Sequence, residues 1–321
     1  MYDRQLNYAV LITTYNSSDF IKKALDSVFA QSIKPKQVVL VDDCSIDDTL
    51  SLLSNYPIEI VKMPINSGTS LARDAGLSLI TSDITFVLDA DDCWDDGHAE
   101  HHLKRWKFSS TKIGAIGSKM RIVFHNSVLP TQHYPYASKR VERTQLGILE
   151  LAAHNPLFIS ATSFRTSVLR EIGGWSFAGQ AYCGDYWLLT ECLINGYKVE
   201  KIDQVTGTYL YSEISRSSNL IEVFKSETLA MKRLLEHFKK SNTLKSSDET
   251  KILSSRYISQ LTRIFRRFTF FEIFTSSIFQ HLIALYESKL ITLLNSKFCR
   301  VCLYILWRLT ITARKLRMVF E

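Results

Sequence analysis

Apolar residues in the first hundred positions follow two alternating rhythms. Four short runs, Tyr8–Thr14 (YAVLITT), Gln37–Val41 (QVVLV), Ile58–Met63 and Ile84–Leu88, are largely apolar and rich in β-branched side chains. Each has the length and composition of a buried strand. Between them, apolar positions recur three and four apart. Asp19–Ala30 places Ile21, Ala24, Leu25, Val28 and Phe29 on one helical stripe, and a second helix is expected near Asp47–Ser54. Asn66 or Ser67 would cap a third helix, carrying Leu71, Ala75 and Leu79. Strand–helix alternation of this kind predicts an α/β fold, with a parallel sheet covered by helices on both faces. The rhythm fades over residues 110–224, where Gly173-Gly174-Trp175 marks a turn and a helix begins within Cys183–Asn195. From about Leu220 the chain becomes helical, basic and rich in Phe, Ile and Leu, with a polar loop at Ser241–Thr250.

Composition narrows the picture. The 321 residues suffice for one large domain or two ordinary ones. At 46% hydrophobic and 22% charged, the chain is too apolar to be disordered. Charge is split unevenly: residues 1–224 hold 21 Lys/Arg against 25 Asp/Glu, residues 225–321 hold 18 against 7. A net −4 therefore precedes a net +11, and the second part suits an anionic surface. The six cysteines are scattered and Met1–Asn7 is polar, so neither a disulfide framework nor a signal peptide is expected, and a reducing cytosol is. Cys299-x-x-Cys302 lies in an apolar helical pattern and reads as packing. The eight histidines, His98, His101 and His102 among them, offer no helical pair opposed by a third ligand, so zinc is not expected.

Candidate chemistry collects where the strands end. In α/β sheets, ligands bind at the carboxyl ends of the strands. Asp89-x-Asp91-Asp92 follows an apolar strand directly. Closely spaced carboxylates repel unless a cation sits between them, and oxygen-only ligation suits Mg²⁺ or Mn²⁺. The competing reading is a solvated acidic loop that caps a helix. Asp42 and Asp43 end another strand, where a carboxylate can accept from a base imide or a ribose hydroxyl, or cap the next helix. Arg73, beside the same edge, can pair with a diphosphate or lock one of the aspartates.

Four ordered segments, Val10–Asn16 (VLITTYN), Val39–Thr49 (VLVDDCSIDDT), Asn66–Gly76 (NSGTSLARDAG) and Phe86–Asp92 (FVLDADD), resemble the nucleotide-binding half of family 2 glycosyltransferases. That family has the GT-A fold. The likeness covers about the first hundred residues, with weaker agreement to about Ser217. It implies that Thr13 and Tyr15 line a base pocket, Tyr15 by stacking on uracil. It implies that Asp43, with Asp42 beside it, reads the base edge, and that Arg73 lies near the diphosphate. Asp89 and Asp91 match the family's D-x-D acids, which contact ribose and metal-bound diphosphate, and Asp92 is expected to share the metal. Gly184-Asp185-Tyr186-Trp187-Leu188 resembles the motif that opens a helix with the catalytic base, here Asp185, although the usual Glu-Asp pair is replaced by Gly-Asp. Large apolar neighbours strengthen such a carboxylate as a base, and an N-cap role is compatible. Trp175 and Trp187 are candidates for stacking on an acceptor sugar. Where many relatives carry Tyr-Arg-x-His, Tyr209–Ser217 reads YLYSEISRS, leaving Arg216 as the available charge.

The resemblance implies an inverting, metal-dependent transferase that uses a nucleotide-sugar donor, a UDP-sugar by preference. A saccharide or lipid-linked saccharide would accept the sugar in surface-polysaccharide or glycolipid assembly, with no role for nucleic acid. A catalytically inactive scaffold of the same fold and a sugar-phosphate nucleotidyltransferase are the alternatives. The expected division is 1–110 for the nucleotide-sugar half, 111–219 for the acceptor half and 220–321 for a basic amphipathic region. In that last region Lys297, Arg300, Tyr304, Arg308, Thr312 and Lys315 form one polar stripe. It is expected to dock peripherally on the inner face of the cell membrane rather than cross it.

Overall fold

The computed structural model describes residues 6–124, 145–146, 151, 157–176, 184–211 and 219–241. The first strand, β1, spans Tyr8–Thr14 and is buried throughout. Helix α1 (Ile21–Phe29) follows it and buries Ile21, Ala24, Leu25 and Val28, the stripe written into its spacing. Strand β2 (Gln37–Asp42) leads to a single 3₁₀ turn at Leu50–Leu53, where a longer helix is expected from sequence. Only Leu53 of that turn is buried, so little apolar surface is available to extend it. Edge strand β3 (Glu59–Lys62), helix α2 (Thr69–Leu79) and strand β4 (Ile84–Asp89) complete the alternation.

These four strands pair in parallel in the order β3-β2-β1-β4. Alternate residues of a strand face opposite sides. Val10, Ile12, Val38 and Leu40 accordingly join α1 in one core, while Leu11, Val39 and Val41 meet α2 on the other face. Gly76 permits the second contact, since a Cβ there would lie 2.8 Å from Val41 Cγ2.

Beyond β4 the sheet becomes mixed. Short β5 (Cys93–Trp94) and helix α3 (His98–Lys107) precede long β6 (Ile113–Phe124). Then come β7 (Gln145–Leu146), β8 (Thr162–Arg165), helix α4 (Thr166–Glu171), helix α5 (Gly184–Ile194) and β9 (Lys198–Tyr211). Among the described residues the sheet order is β3-β2-β1-β4-β8-β6-β9-β5, with β7 on β9, and β8 runs antiparallel to both neighbours. The parallel strands β1–β4 and the mixed strands beyond them thus share one sheet.

Helix α3 seals this mixed half with a buried polar network. Trp94 stacks on His98 at 4.3 Å, and His98 packs on His102 at 4.5 Å. His98 Nδ1 bonds Thr206 at 2.8 Å, while His102 bonds Ser163 at 2.7 Å and Ser118 at 3.1 Å. Burial pushes the His102 imidazole down to about 3, with the charge of His101 a smaller cause. Burial and the neighbouring His102 hold His98 well below the usual range.

The chain divides into two compact units, Met1–Gly147 with Asn155–Ser218, and Ile148–His154 with Asn219–Glu321. In the second, helix α6 spans Leu220–Lys240, capped by the Asn219 side chain, which accepts from Glu222 N. Glu222 and Lys225 pair at 2.7 Å along it. Among the described residues no helix is long and apolar enough to cross a membrane. The basic stripe from Lys297 to Lys315 lies outside the described residues, as does Arg216.

Candidate active site

Parallel register brings the candidate residues to one edge. Thr13 pairs with Asp89 across β1 and β4, and Thr14 pairs with Asp42 across β1 and β2. The chain leaves that edge through Tyr15, whose side chain is nearly half exposed, and through Asn16, which adopts a left-handed φ of 49°. Asn16 N donates to Ser45 Oγ, and Ile46 N donates to Asn16 Oδ1, each at 2.9 Å. Those bonds clasp the loops after β1 and β2 together.

Asp42 and Asp43 are both buried. Asp42 Oδ2 accepts from Ser45 N at 3.2 Å, and its Oδ1 has no partner among the described residues. Asp43 accepts from Ser67 N at 2.7 Å and from Gly68 N at 2.8 Å, one bond per oxygen. Those amides open α2, and such orphan donors attract a carboxylate. Helix capping, rather than presentation to a base edge, is therefore what the geometry gives Asp43.

The acidic turn after β4 splits its three aspartates among three environments. Asp89 Oδ1 accepts from Arg73 at 2.6 Å, and the guanidinium is almost fully buried, with its Nε unpartnered among the described residues. Asp91 is partly buried, and desolvation together with the charge of Asp89 raises its pKa to about 6. Asp92 is 2% exposed, and its pKa is pushed well above the usual range by burial and by the charges of Asp91 and Asp89. Its oxygens accept from Ser160 Oγ at 2.5 Å and Leu210 N at 2.9 Å. Ser160 Oγ also accepts from Asp89 N at 3.0 Å. Asp92 thus braces the turn from behind, a correction to the expectation that it shares a metal. Sequence reasoning missed Ser160, which carries no motif; its only mark is its place just before β8.

Asp185 stands in the first turn of α5, its Oδ1 accepting from Tyr186 N at 2.8 Å. That turn lies against α2: a Cβ on Gly184 would sit 3.4 Å from Ser70 Oγ and 3.6 Å from Trp175 Cδ1. Trp175 has no exposed surface, and its ring lies 5.8 Å from the Arg73 guanidinium. Trp187 is also buried. Neither indole offers a face to a sugar, so the acceptor-stacking expectation is replaced by packing, the commoner fate of Trp.

Among the described residues no group of three His, Cys, Asp or Glu side chains stands ready to hold a metal ion. Asp91 lies near enough to feel the charge of Asp89, and Arg73 holds one Asp89 oxygen, which leaves two oxygen-only groups side by side. That fits the habit of Mg²⁺, which takes one or two carboxylates and completes its shell with water and phosphate.

Comparisons with known proteins bear on the family and the fold. Residues 9–164 match the family model for glycosyl transferase family 2. The putative teichuronic acid biosynthesis glycosyltransferase TuaG of Bacillus subtilis is 33% identical over 101 residues, 30% of this chain and 40% of that one. The chain thus aligns with less than half of that relative's length. S. aureus TarS in complex with UDP-GlcNAc superposes with a TM-score of 0.66 at 18% identity, over 94% of this chain and 88% of that one. The mannosyltransferase PcManGT of Pyrobaculum calidifontis, in complex with GDP-Man and Mn²⁺, gives 0.55 at 16% identity, over 97% and 87%. At these identities the two structures establish the fold alone. Residues 9–164 thus match glycosyl transferase family 2, and the chain shares the GT-A fold of TarS.

Proposed function

We propose that the chain transfers a sugar, with inversion, from a nucleotide-sugar donor to a hydroxyl of a saccharide or lipid-linked saccharide. The observation that carries the reading is the pair of buried Arg73 with part-exposed Asp89, Asp91 following, at the carboxyl end of β4, with Trp175 beside both Arg73 and the start of α5. A UDP-sugar donor and a role in surface-polysaccharide or glycolipid assembly are supported by what TarS was crystallised with and by the pathway named for TuaG.

In this reading the exposed ring of Tyr15 stacks on the base, with Thr13 and Asp42 behind it. Arg73 fixes Asp89 and adds positive charge beneath the diphosphate. Asp89 and Asp91 would hold Mn²⁺ or Mg²⁺, which when bound supplies charge that stabilises a departing diphosphate. Asp185 takes the proton from the acceptor hydroxyl as its oxygen bonds the anomeric carbon. The bond from that carbon to the diphosphate oxygen breaks, and its electron pair leaves with the nucleoside diphosphate. The basic region 220–321 would hold the chain peripherally at the cytoplasmic face of the membrane.

A panel of nucleotide-sugars with Mn²⁺ tests the reading. Asp185→Asn is expected to bind donor as the wild type does and to lose roughly 10²–10⁴-fold in transfer, the usual worth of a general base. Collapse of donor affinity in that variant would put Asp185 on the donor side instead. A wild-type chain inert toward every donor in the panel would remove the proposal.

A further inference from the structure

Arg73 and Asp74 are adjacent on α2 but serve different partners. Arg73 binds Asp89 within the acidic turn. Asp74 reaches the turn that ends α4, where its Oδ1 accepts from Trp175 N at 2.7 Å and its Oδ2 accepts from Ser176 Oγ. The backbone of that turn comes close: Gly174 has a left-handed φ of 63°, and a Cβ there would collide with Asp74 Oδ1. Only glycine meets both demands. The indole held this way lies between the Arg73 guanidinium and the Gly184 backbone that begins α5. A continuous chain of contacts therefore runs Asp89, Arg73, Trp175, Gly184, with Asp185 the next residue.

Docking of α4 does not by itself require Asp74. Arg170 already ties that helix to the far end of α2 by bonding Leu77 O and Ile80 O. What Asp74 adds is the placement of one side chain between the donor acids and the base. We propose that Asp74 is a positioning residue for sugar transfer. Through Trp175 it sets the start of α5 relative to the Arg73–Asp89 pair, so that the base stays in register with the donor. The inference rests on the transferase reading above.

The test compares full-length wild type with Asp74→Ala, Asp74→Asn and Arg170→Ala, using UDP-sugar transfer, donor affinity by calorimetry and amide hydrogen exchange. Asp74→Ala is expected to lower kcat by about 10–100-fold, the scale of a small misplacement remote from the chemistry. Donor Kd should stay within about 3-fold of wild type, and exchange should quicken at both Gly174–Ser176 and Gly184–Leu188. Asp74→Asn, which keeps an acceptor for Trp175 N and gains a donor for Ser176, should recover most of the rate. Arg170→Ala should lower the melting temperature and leave kcat unchanged. Ser176→Ala, which removes one of two anchors, should give the Asp74→Ala pattern at smaller size if that variant does not fold. Unchanged kcat in Asp74→Ala, a parallel loss of donor affinity, or quickened exchange confined to Gly174–Ser176 would each overturn the role. A wild type that transfers no sugar sinks the transferase reading instead. The exchange data in the same samples still decide whether Asp74 governs the start of α5.

Discussion

Asp91 is a carboxylate held in a place that disfavours its charge. Burial and Asp89 raise its pKa to about 6, and Arg73 is committed to Asp89. A group whose folded pKa is raised stabilises the fold when protonated, below its ordinary value near 4, and loses that contribution as pH rises toward 6. Near neutral pH Asp91 carries its charge with no cation of its own among the described residues. Asp91→Asn should therefore melt at the same temperature as wild type or higher without metal, lose the stabilisation that Mn²⁺ with UDP gives wild type, and lose metal-dependent turnover. Melting curves with and without Mn²⁺ decide it, and a variant still stabilised by Mn²⁺ would clear Asp91 of metal binding. Asp43 predicts a different loss. Its carboxylate satisfies two amides at the start of α2, so Asp43→Ala should cost about 1–3 kcal/mol of stability, read by urea titration. Unchanged stability would return Asp43 to the ligand side. In sequence the strand-end aspartates look alike. They differ through partners remote in the chain, Ser67 and Gly68 for Asp43, and Ser160 and Leu210 for Asp92, which no local pattern announces.

Elements were legible where burial follows one rhythm. Tyr8–Thr14 is a strand end to end because every residue is buried between helices on two faces, so hydrophobicity alone marks its limits. Strand β9 hides itself, with Lys198, Glu200, Lys201 and Asp203 along it. Glu200 is buried against Arg105 at 2.7 Å, and register shifts against β6 break the alternation. Helix α3 was hidden likewise. His98 and His102 are core residues there, one turn apart; hydroxyls of Ser163 and Ser118 meet both nitrogens of His102, Thr206 meets His98 Nδ1, and His98 Nε2 is unpartnered among the described residues. Their neutrality makes a pH prediction. For His102 the folded pKa is about 3 and the unfolded value near 6.5, so between them the unfolded chain binds a proton the folded one refuses. Its contribution is whole above 6.5 and falls by about 1.4 kcal/mol per pH unit on acidification. Denaturant titrations at pH 7 and pH 5 should show a shallower pH dependence in His102→Asn than in wild type. An equal slope would mean that this imidazole carries its proton in the folded state.

At the scale of the whole molecule the governing fact is the charge split, −4 over residues 1–224 and +11 over residues 225–321. Lys297, Arg300, Tyr304, Arg308, Thr312 and Lys315 recur every three or four positions, while Phe298, Val301, Ile305, Leu309 and Leu316 fall on other faces of the same helical pattern. The interrupting Arg300 and Arg308 leave no run of about 20 apolar residues, which a span would need. Such a sequence is suited to lie in an interface, each cation contributing about 1 kcal/mol near an anionic surface. Attraction of that kind is screened, the Debye length shrinking from about 10 Å at 0.1 M salt to about 3 Å at 1 M. The full chain is therefore expected to sediment with phosphatidylglycerol-containing vesicles at low salt, and to bind uncharged phosphatidylcholine vesicles weakly. It should return to the supernatant near 1 M salt. Replacing Lys297, Arg300, Arg308 and Lys315 with Gln removes four charges and keeps the apolar face, so it should reduce low-salt sedimentation several-fold. Sedimentation that survives both salt and the four substitutions would assign binding to the apolar face alone. A wild-type chain left in the low-salt supernatant would refute docking and leave the basic stripe as a solvated face.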